Sequence, residues 1–254
     1  MAVADLRVAG LVEQRWDRGD GVSMPSDDAE SLTIDLEDGR TVSGLLQMPH
    51  QPLACLAVAH GAGAGMTHPF LAALAAGLAG RRIATLRYQF PSMERGLRRP
   101  DPPKLAQATV RAALALAERL VPPIPLFAGG KSFGGRMTSQ AQAESPLPGV
   151  RGLVFLGFPL HPPGRPSDER GRHLFDVQVP MLFLQGTRDD LASLLLLRPL
   201  IERLGARATL ELIDGADHSF RVPARARRGS EEVFTGMLEK LAAWMEIHAS
   251  PRAG

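Results

Sequence analysis

The chain has 254 residues, 44% hydrophobic and 22% charged, with 29 Lys and Arg against 27 Asp and Glu. That length supports a core without metal or disulfide staples, the composition is not that of a disordered chain, and a net charge of +2 is too small to argue for a nucleic-acid partner. The single cysteine, Cys55, excludes an intrachain disulfide and any cysteine-built zinc or iron–sulfur site within one chain. The longest apolar runs are far shorter than the roughly twenty residues of a spanning helix. Asp5, Arg7 and Glu13 interrupt any signal-peptide core. These features predict a chain of the reducing cytoplasm, a monomer or homodimer, with neither nucleic acid nor membrane as partner.

Residues 1–30 are polar and weakly periodic, and they read as a flexible N-terminal extension to a single domain over 31–250. Leu32, Ile34 and Leu36 alternate with polar neighbours, Asp38-Gly39 supplies a turn, and Val42 to Met48 returns as a second strand. After this hairpin the text alternates. Strands are predicted at 53–59, 83–86, 124–128, 153–158, 180–185 and 208–213. Helices are predicted at 69–80, 104–121, 133–143, 191–204 and 231–248. The alternation predicts an α/β fold, a mostly parallel twisted sheet with helices on both faces. Residues 160–179 lack periodicity and read as a long loop, with little room for a cap.

Gly130-Lys131-Ser132-Phe133-Gly134 reads Gly-x-Ser-x-Gly between a predicted strand and a predicted helix. A sharp turn there strains the serine backbone and lifts its hydroxyl above the sheet, and the close approach of the chain leaves room only for small residues two before and two after. A nucleophilic serine needs a base and an acid to orient it. Asp189 follows the strand at 180–185, and His218 follows the strand at 208–213, so all three lie past carboxyl ends of strands, where open α/β sheets place ligands. Asp190 competes with Asp189 for the acid role, and a plain helix cap is the minority alternative for Asp189. The run from His60 to Gly65 follows a strand and precedes a helix. Its backbone can supply one oxyanion donor, assigned to Ala62 with Gly61 and Gly63 as neighbours, while the Phe133 N–H supplies the other.

These segments resemble the serine α/β-hydrolases: His60-Gly61-Ala62-Gly63-Ala64-Gly65, the turn around Ser132, Gly186-Thr187-Arg188-Asp189 and Asp217-His218. The likeness is nearest to the small, capless branch of dienelactone-hydrolase-like predicted hydrolases, through His68-Pro69-Phe70, the segment 159–164 and Asp217-His218-Ser219-Phe220. It covers about residues 31–248. It implies Ser132 as nucleophile, Asp189 as acid and His218 as base, in the chain order of that fold, with no cofactor and no metal. Dienelactone hydrolases carry a cysteine nucleophile where this chain has Ser132, and Cys55 sits inside a predicted strand, which argues against the dienelactone reaction. The expected activity is that of a carboxylesterase-like serine hydrolase acting on a small-molecule ester. Gly61, Gly63, Met66, Phe158 and His161 are expected to line the substrate pocket. Some relatives in this branch are non-catalytic subunits, so a silent interaction protein is the competing class, and acyl transfer to an alcohol would use the same residues.

Other motifs fit less well. Gly130-Lys131-Ser132 ends like a phosphate-binding loop, but the required leading glycine is Pro125. Gly61-x-Gly63-x-Gly65 hints at a dinucleotide fingerprint, yet its third glycine should fall at Met66, and Arg87 rather than an acid ends the next strand, an arrangement that would suit only a phosphorylated ribose. The arginine runs Arg95, Arg98, Arg99 and Arg221, Arg225, Arg227, Arg228 read as solvated loops. His50, His68, His161 and His173 show no metal-ligand spacing, and Leu194 to Leu197 reads as helix core.

Overall fold

The computed structural model describes residues 29–249 apart from 122, 225 and 227. The predicted extension, save its last two residues, thus lies outside the described residues, as do Pro122 and two arginines of the second basic run. The hairpin forms as β1 (Glu30–Asp35) and β2 (Thr41–Gln47), paired Ile34 to Val42 and Leu32 to Gly44. Alternation puts Ile34, Val42 and Leu46 in the core while their neighbours face outward.

Then β3 (Ala54–Ala59), α1 (Pro69–Ala79), β4 (Ile83–Tyr88), the single turn α2 (Pro91–Glu94) and α3 (Pro103–Leu120) follow. Next come β5 (Leu126–Lys131), α4 (Phe133–Glu144), β6 (Val150–Leu156), β7 (Met181–Gly186), α5 (Leu194–Leu204), β8 (Ala208–Ile213) and α6 (Ser230–Ala249). The eight strands lie in the order β1-β2-β4-β3-β5-β6-β7-β8. β2 runs antiparallel to β1 and β4, and every other pair is parallel. All six residues of β3, β4 and β7 are buried, as expected of strands covered on both faces.

Successive side chains of a strand point to opposite faces, and each face has its own core. Cys55, Ala57, Phe155 and Phe183 join the α3, α4 and α5 side with Val110, Met137 and Leu197. Leu56, Val58, Val154 and Leu184 join the α1 and α6 side with Leu74, Leu241 and Trp244. Cys55 is thus a core residue, and burial pushes its thiol up to about 12.

The bounds of β5, β6 and α5 shift most from those predicted. β5 starts two residues later than expected and runs on through Gly129 and Gly130, which propensity disfavours in a strand. A side chain at Gly129 would lie 2.0 Å from the Val154 carbonyl oxygen, so close strand packing is the reason for glycine. β6 starts earlier and stops at Leu156 because the chain turns at Gly157, where φ is +72°. α5 starts at Leu194, and its Leu195 is 86% exposed, so the leucine run is not all core. The connection 160–179 is not bare loop either. It holds a 3-10 helix, Glu169–Asp176, whose Leu174 is buried and whose His173 Nε2 lies 2.8 Å from the Ser139 hydroxyl of α4. That helix packs against α4 and α5.

Candidate active site

Strand β5 delivers Ser132 into a tight turn ahead of α4. Its φ of 51° and ψ of −113° put a non-glycine residue in a strained region. The turn is held by Ser132 N–H donating to the Leu156 carbonyl and Arg136 N–H donating to the Ser132 carbonyl. The flanking glycines are required sterically. A side chain at Gly130 would sit 2.6 Å from the Ala59 oxygen, and one at Gly134 would sit 2.5 Å from the His60 oxygen.

His218 and Asp189 come from loops after β8 and β7. The histidine loop is fixed by Asp217, whose Oδ1 accepts from the Ser219 and Arg221 N–H groups. Asp189 Oδ2 lies 2.7 Å from His218 Nδ1, and His218 Nε2 lies 2.9 Å from Ser132 Oγ. With Nδ1–H donating to the carboxylate, the Nε2 lone pair is left to accept from the serine hydroxyl. The Asp189 side chain is fully buried, and it also accepts from Gln185 Nε2 and from the Leu191 N–H. Asp190 is exposed. Ser132, His218, Gly61 and Ala62 all face one cavity of about 610 Å³, with Thr67, Phe70 and Leu191 along its walls.

A family model for the alpha/beta hydrolase domain matches residues 52–246, most of the chain. The chain belongs to the alpha/beta hydrolase domain family. Solved structures of the same fold include a dienelactone hydrolase from Anabaena variabilis, at 20% identity and a TM-score of 0.69 over 87% of this chain and 98% of that one. A second is XC6422 from Xanthomonas campestris, a serine hydrolase without lid, at 21% identity and 0.67 over 89% and 98%. The esterase domain of a Rhodothermus marinus protein matches at 17% identity and 0.66 over 87% and 99%.

In this alpha/beta hydrolase four of the residues expected around the substrate stand elsewhere. Phe158 is in the core, its ring 5.2 Å from that of Phe155 and 5.8 Å from that of Phe183. Met66 is buried off the cavity, its N–H donating to Gln89 Oε1. Gly63 turns away in a left-handed conformation, 3.6 Å from the Arg98 carbonyl measured from a built Cβ. His161 is buried beside Asp189 in a separate crevice of about 330 Å³, where its Nε2 accepts from the Ser193 N–H. Its role there is to join two loops. Arg87 is fully buried in β4, so it is not placed to reach a ribose phosphate. Of the arginines, Arg95 approaches Asp101 at 4.0 Å, Arg228 pairs with Glu232, and Arg221 lines the cavity.

Three residues of the hydrolase escaped sequence reasoning. Gln185 bridges Asp189 to the backbone, because its Nε2 donates to the Asp189 carboxylate while its Oε1 accepts from the Phe158 N–H. His60 is buried, with Nε2 accepting from the Phe90 N–H and Nδ1 donating to the Gly61 carbonyl. Burial pushes it down to about 4, so it stays neutral and braces the Gly61–Ala62 loop. Lys131, read only as a stray phosphate-loop residue, reaches past Ser132 to the His218 carbonyl. Burial pulls its ammonium down to about 8 against the opposing pull of Asp189 and Asp217. His218 is lowered from the ordinary histidine value, first by burial and then by the Lys131 charge, with the bond to Asp189 pulling the other way. A polar residue at the end of an apolar strand was the available signal for both Lys131 and Gln185.

No helix among the described residues is long and apolar enough to cross a membrane.

Proposed function

We propose that this chain is a carboxylesterase-like serine hydrolase that cleaves an ester or related acyl bond of a small molecule through an acyl-enzyme on Ser132. The observation carrying this reading is the hydrogen-bonded series Ser132 Oγ, His218, Asp189 opening onto the cavity. Ser132 Oγ attacks the carbonyl carbon while His218 Nε2 takes its proton. The oxyanion that forms is met by the N–H groups of Phe133 and Ala62, each worth about 3–4 kcal/mol in comparable sites. His218 then returns the proton to the leaving alcohol, and the acyl-enzyme remains. A water, deprotonated by the same imidazole, attacks this ester and releases the acid. Asp189 keeps the imidazole in the Nδ1–H tautomer and stabilises its charged form throughout.

A cavity of about 610 Å³, uncovered by the 160–179 segment, suits a short acyl chain. The fold shared with the Rhodothermus marinus esterase domain agrees with the reaction class. Incubation with a fluorophosphonate followed by peptide mass mapping tests the nucleophile. Labelling is expected on Ser132 and lost in His218→Ala. Folded protein that takes no label would leave the interaction-protein reading in its place. Hydrolysis of p-nitrophenyl esters should fall from acetate to palmitate, and a steady rise would contradict the short-chain substrate.

A further inference from the structure

Lys131 has no part in the proton transfers just described, yet it sits against the base. It ends β5 directly before Ser132, and its Nζ donates to the His218 main-chain carbonyl across 87 positions of sequence. The ammonium also lies 5.4 Å from the centre of the Phe220 ring, two residues beyond His218. Both the lysine and the histidine rest on Gly157. A Cβ built there would come within 3.0 Å of Lys131 Nζ and 3.4 Å of His218 Cε1 and Nδ1. Any other residue at 157 would push on both, and its φ of +72° adds a second reason for glycine. One cation thus ties the nucleophile turn, the histidine loop and the end of β6 together.

We propose that Lys131 is a positioning residue for the acyl transfer: its ammonium clamps the His218 main chain over Gly157 and sets how far into acid the base keeps its lone pair. This rests on the serine-hydrolase reading above. The groups facing the imidazole are Lys131 from β5, Asp189 from the loop after β7 and Asp217 from the histidine's own loop. Arg221 and His68 stand on the same cavity. The carboxylates favour the imidazolium, whereas burial first and the Lys131 charge second oppose it, and His218 is lowered. A neutral Nε2 is the form that accepts the Ser132 proton, so the lysine extends activity toward lower pH. The same carbonyl clamp limits how far His218 can swing from Ser132 Oγ.

The test titrates His218 by NMR of its imidazole in the full-length wild type, Lys131→Met and Lys131→Arg, with the resonance assigned by its loss in His218→Ala. Removing the charge should raise the His218 midpoint by about one pH unit, and Lys131→Arg should stay near wild type. The acid limb of kcat/KM for p-nitrophenyl acetate should move by the same amount, with kcat lowered at its plateau and KM little changed. An unmoved His218 midpoint in Lys131→Met overturns the proposal. If the methionine variant fails to fold, Lys131→Gln reads the same midpoint. The titration needs no substrate, so it decides the role of Lys131 even if no ester is turned over. Failure of the hydrolase reading shows separately, as absent turnover and absent fluorophosphonate labelling in the wild type.

Discussion

Replacing Asp189 by asparagine keeps the shape of the acid and changes only its hydrogen-bonding capacity. The carboxylate accepts from three donors: Gln185 Nε2 and His218 Nδ1 at Oδ2, and the Leu191 N–H at Oδ1. An asparagine offers one oxygen and one NH2. With its oxygen toward Leu191, the NH2 confronts Gln185 and the imidazole. His218 must then carry its proton on Nε2 and cannot accept from Ser132. With its oxygen toward His218, the tautomer survives but the NH2 confronts the Leu191 N–H. Either way one buried donor–donor contact remains, costing about 1–3 kcal/mol of stability. Either way the negative charge that favours the imidazolium is also gone. The expected fall in kcat is a thousandfold to ten-thousandfold, about 4–5 kcal/mol of barrier. The assay is saturating p-nitrophenyl acetate turnover alongside urea unfolding, with Asp190→Asn as control. A kcat for Asp189→Asn within tenfold of wild type, or a loss that follows Asp190 instead, would refute the reasoning.

Two other outcomes follow from the packing around the turn. His60 accepts a backbone hydrogen bond at Nε2 and sits well below the ordinary histidine value, so the unfolded chain binds its proton first as pH falls. Its stabilisation is whole above about pH 6.5 and is lost progressively as pH drops toward 4, a fall of about 3 kcal/mol from this group. Urea midpoints between pH 7 and 4 should decline more steeply for wild type than for His60→Asn, and equal slopes would count against it. Gly134→Ala drives a methyl to 2.5 Å from the His60 oxygen and 2.7 Å from Ala59, neither a flexible chain end. It should lose about 3 kcal/mol or more and its fluorophosphonate labelling, whereas Gly229→Ala, which meets nothing within 4 Å, should match wild type in both.

The layered fold was legible because its signals are periodic and local. The six apolar residues of β3 need no partner to be recognised as a doubly covered strand, and Asp38-Gly39 marks the hairpin from two residues. Ser132, Asp189 and His218 were legible for a different reason: each follows a parallel strand at its carboxyl end, so chain order alone brings them to one rim of the sheet. What periodicity could not supply was the orientation of loops. Phe158 lies one residue past Gly157, and the reversal there turns its ring into the core instead of toward the cavity. Likewise His161 and Met66 sit near the rim in sequence, but their hydrogen bonds to Ser193 and Gln89 fix them inward.

The polar residues that close the buried strands suggest a sharper way to read such a chain. In a parallel sheet covered on both sides, a polar side chain costs free energy unless something across the sheet satisfies it. Lys131 at the end of β5 finds the His218 carbonyl, Gln185 near the end of β7 finds Asp189 and the Phe158 N–H, and His60 just past β3 finds the Phe90 N–H. Each partner lies on a neighbouring connection at the same rim, so these residues stitch the loops that carry Ser132, His218, Asp189 and the Ala62 amide. Catalysis of the kind proposed depends on fixing those four loops relative to one another, because the 2.9 Å and 2.7 Å contacts through His218 tolerate little drift. A buried strand that ends in Lys, Gln or His therefore points to the residues that hold a site in register, as a serine between glycines points to its nucleophile.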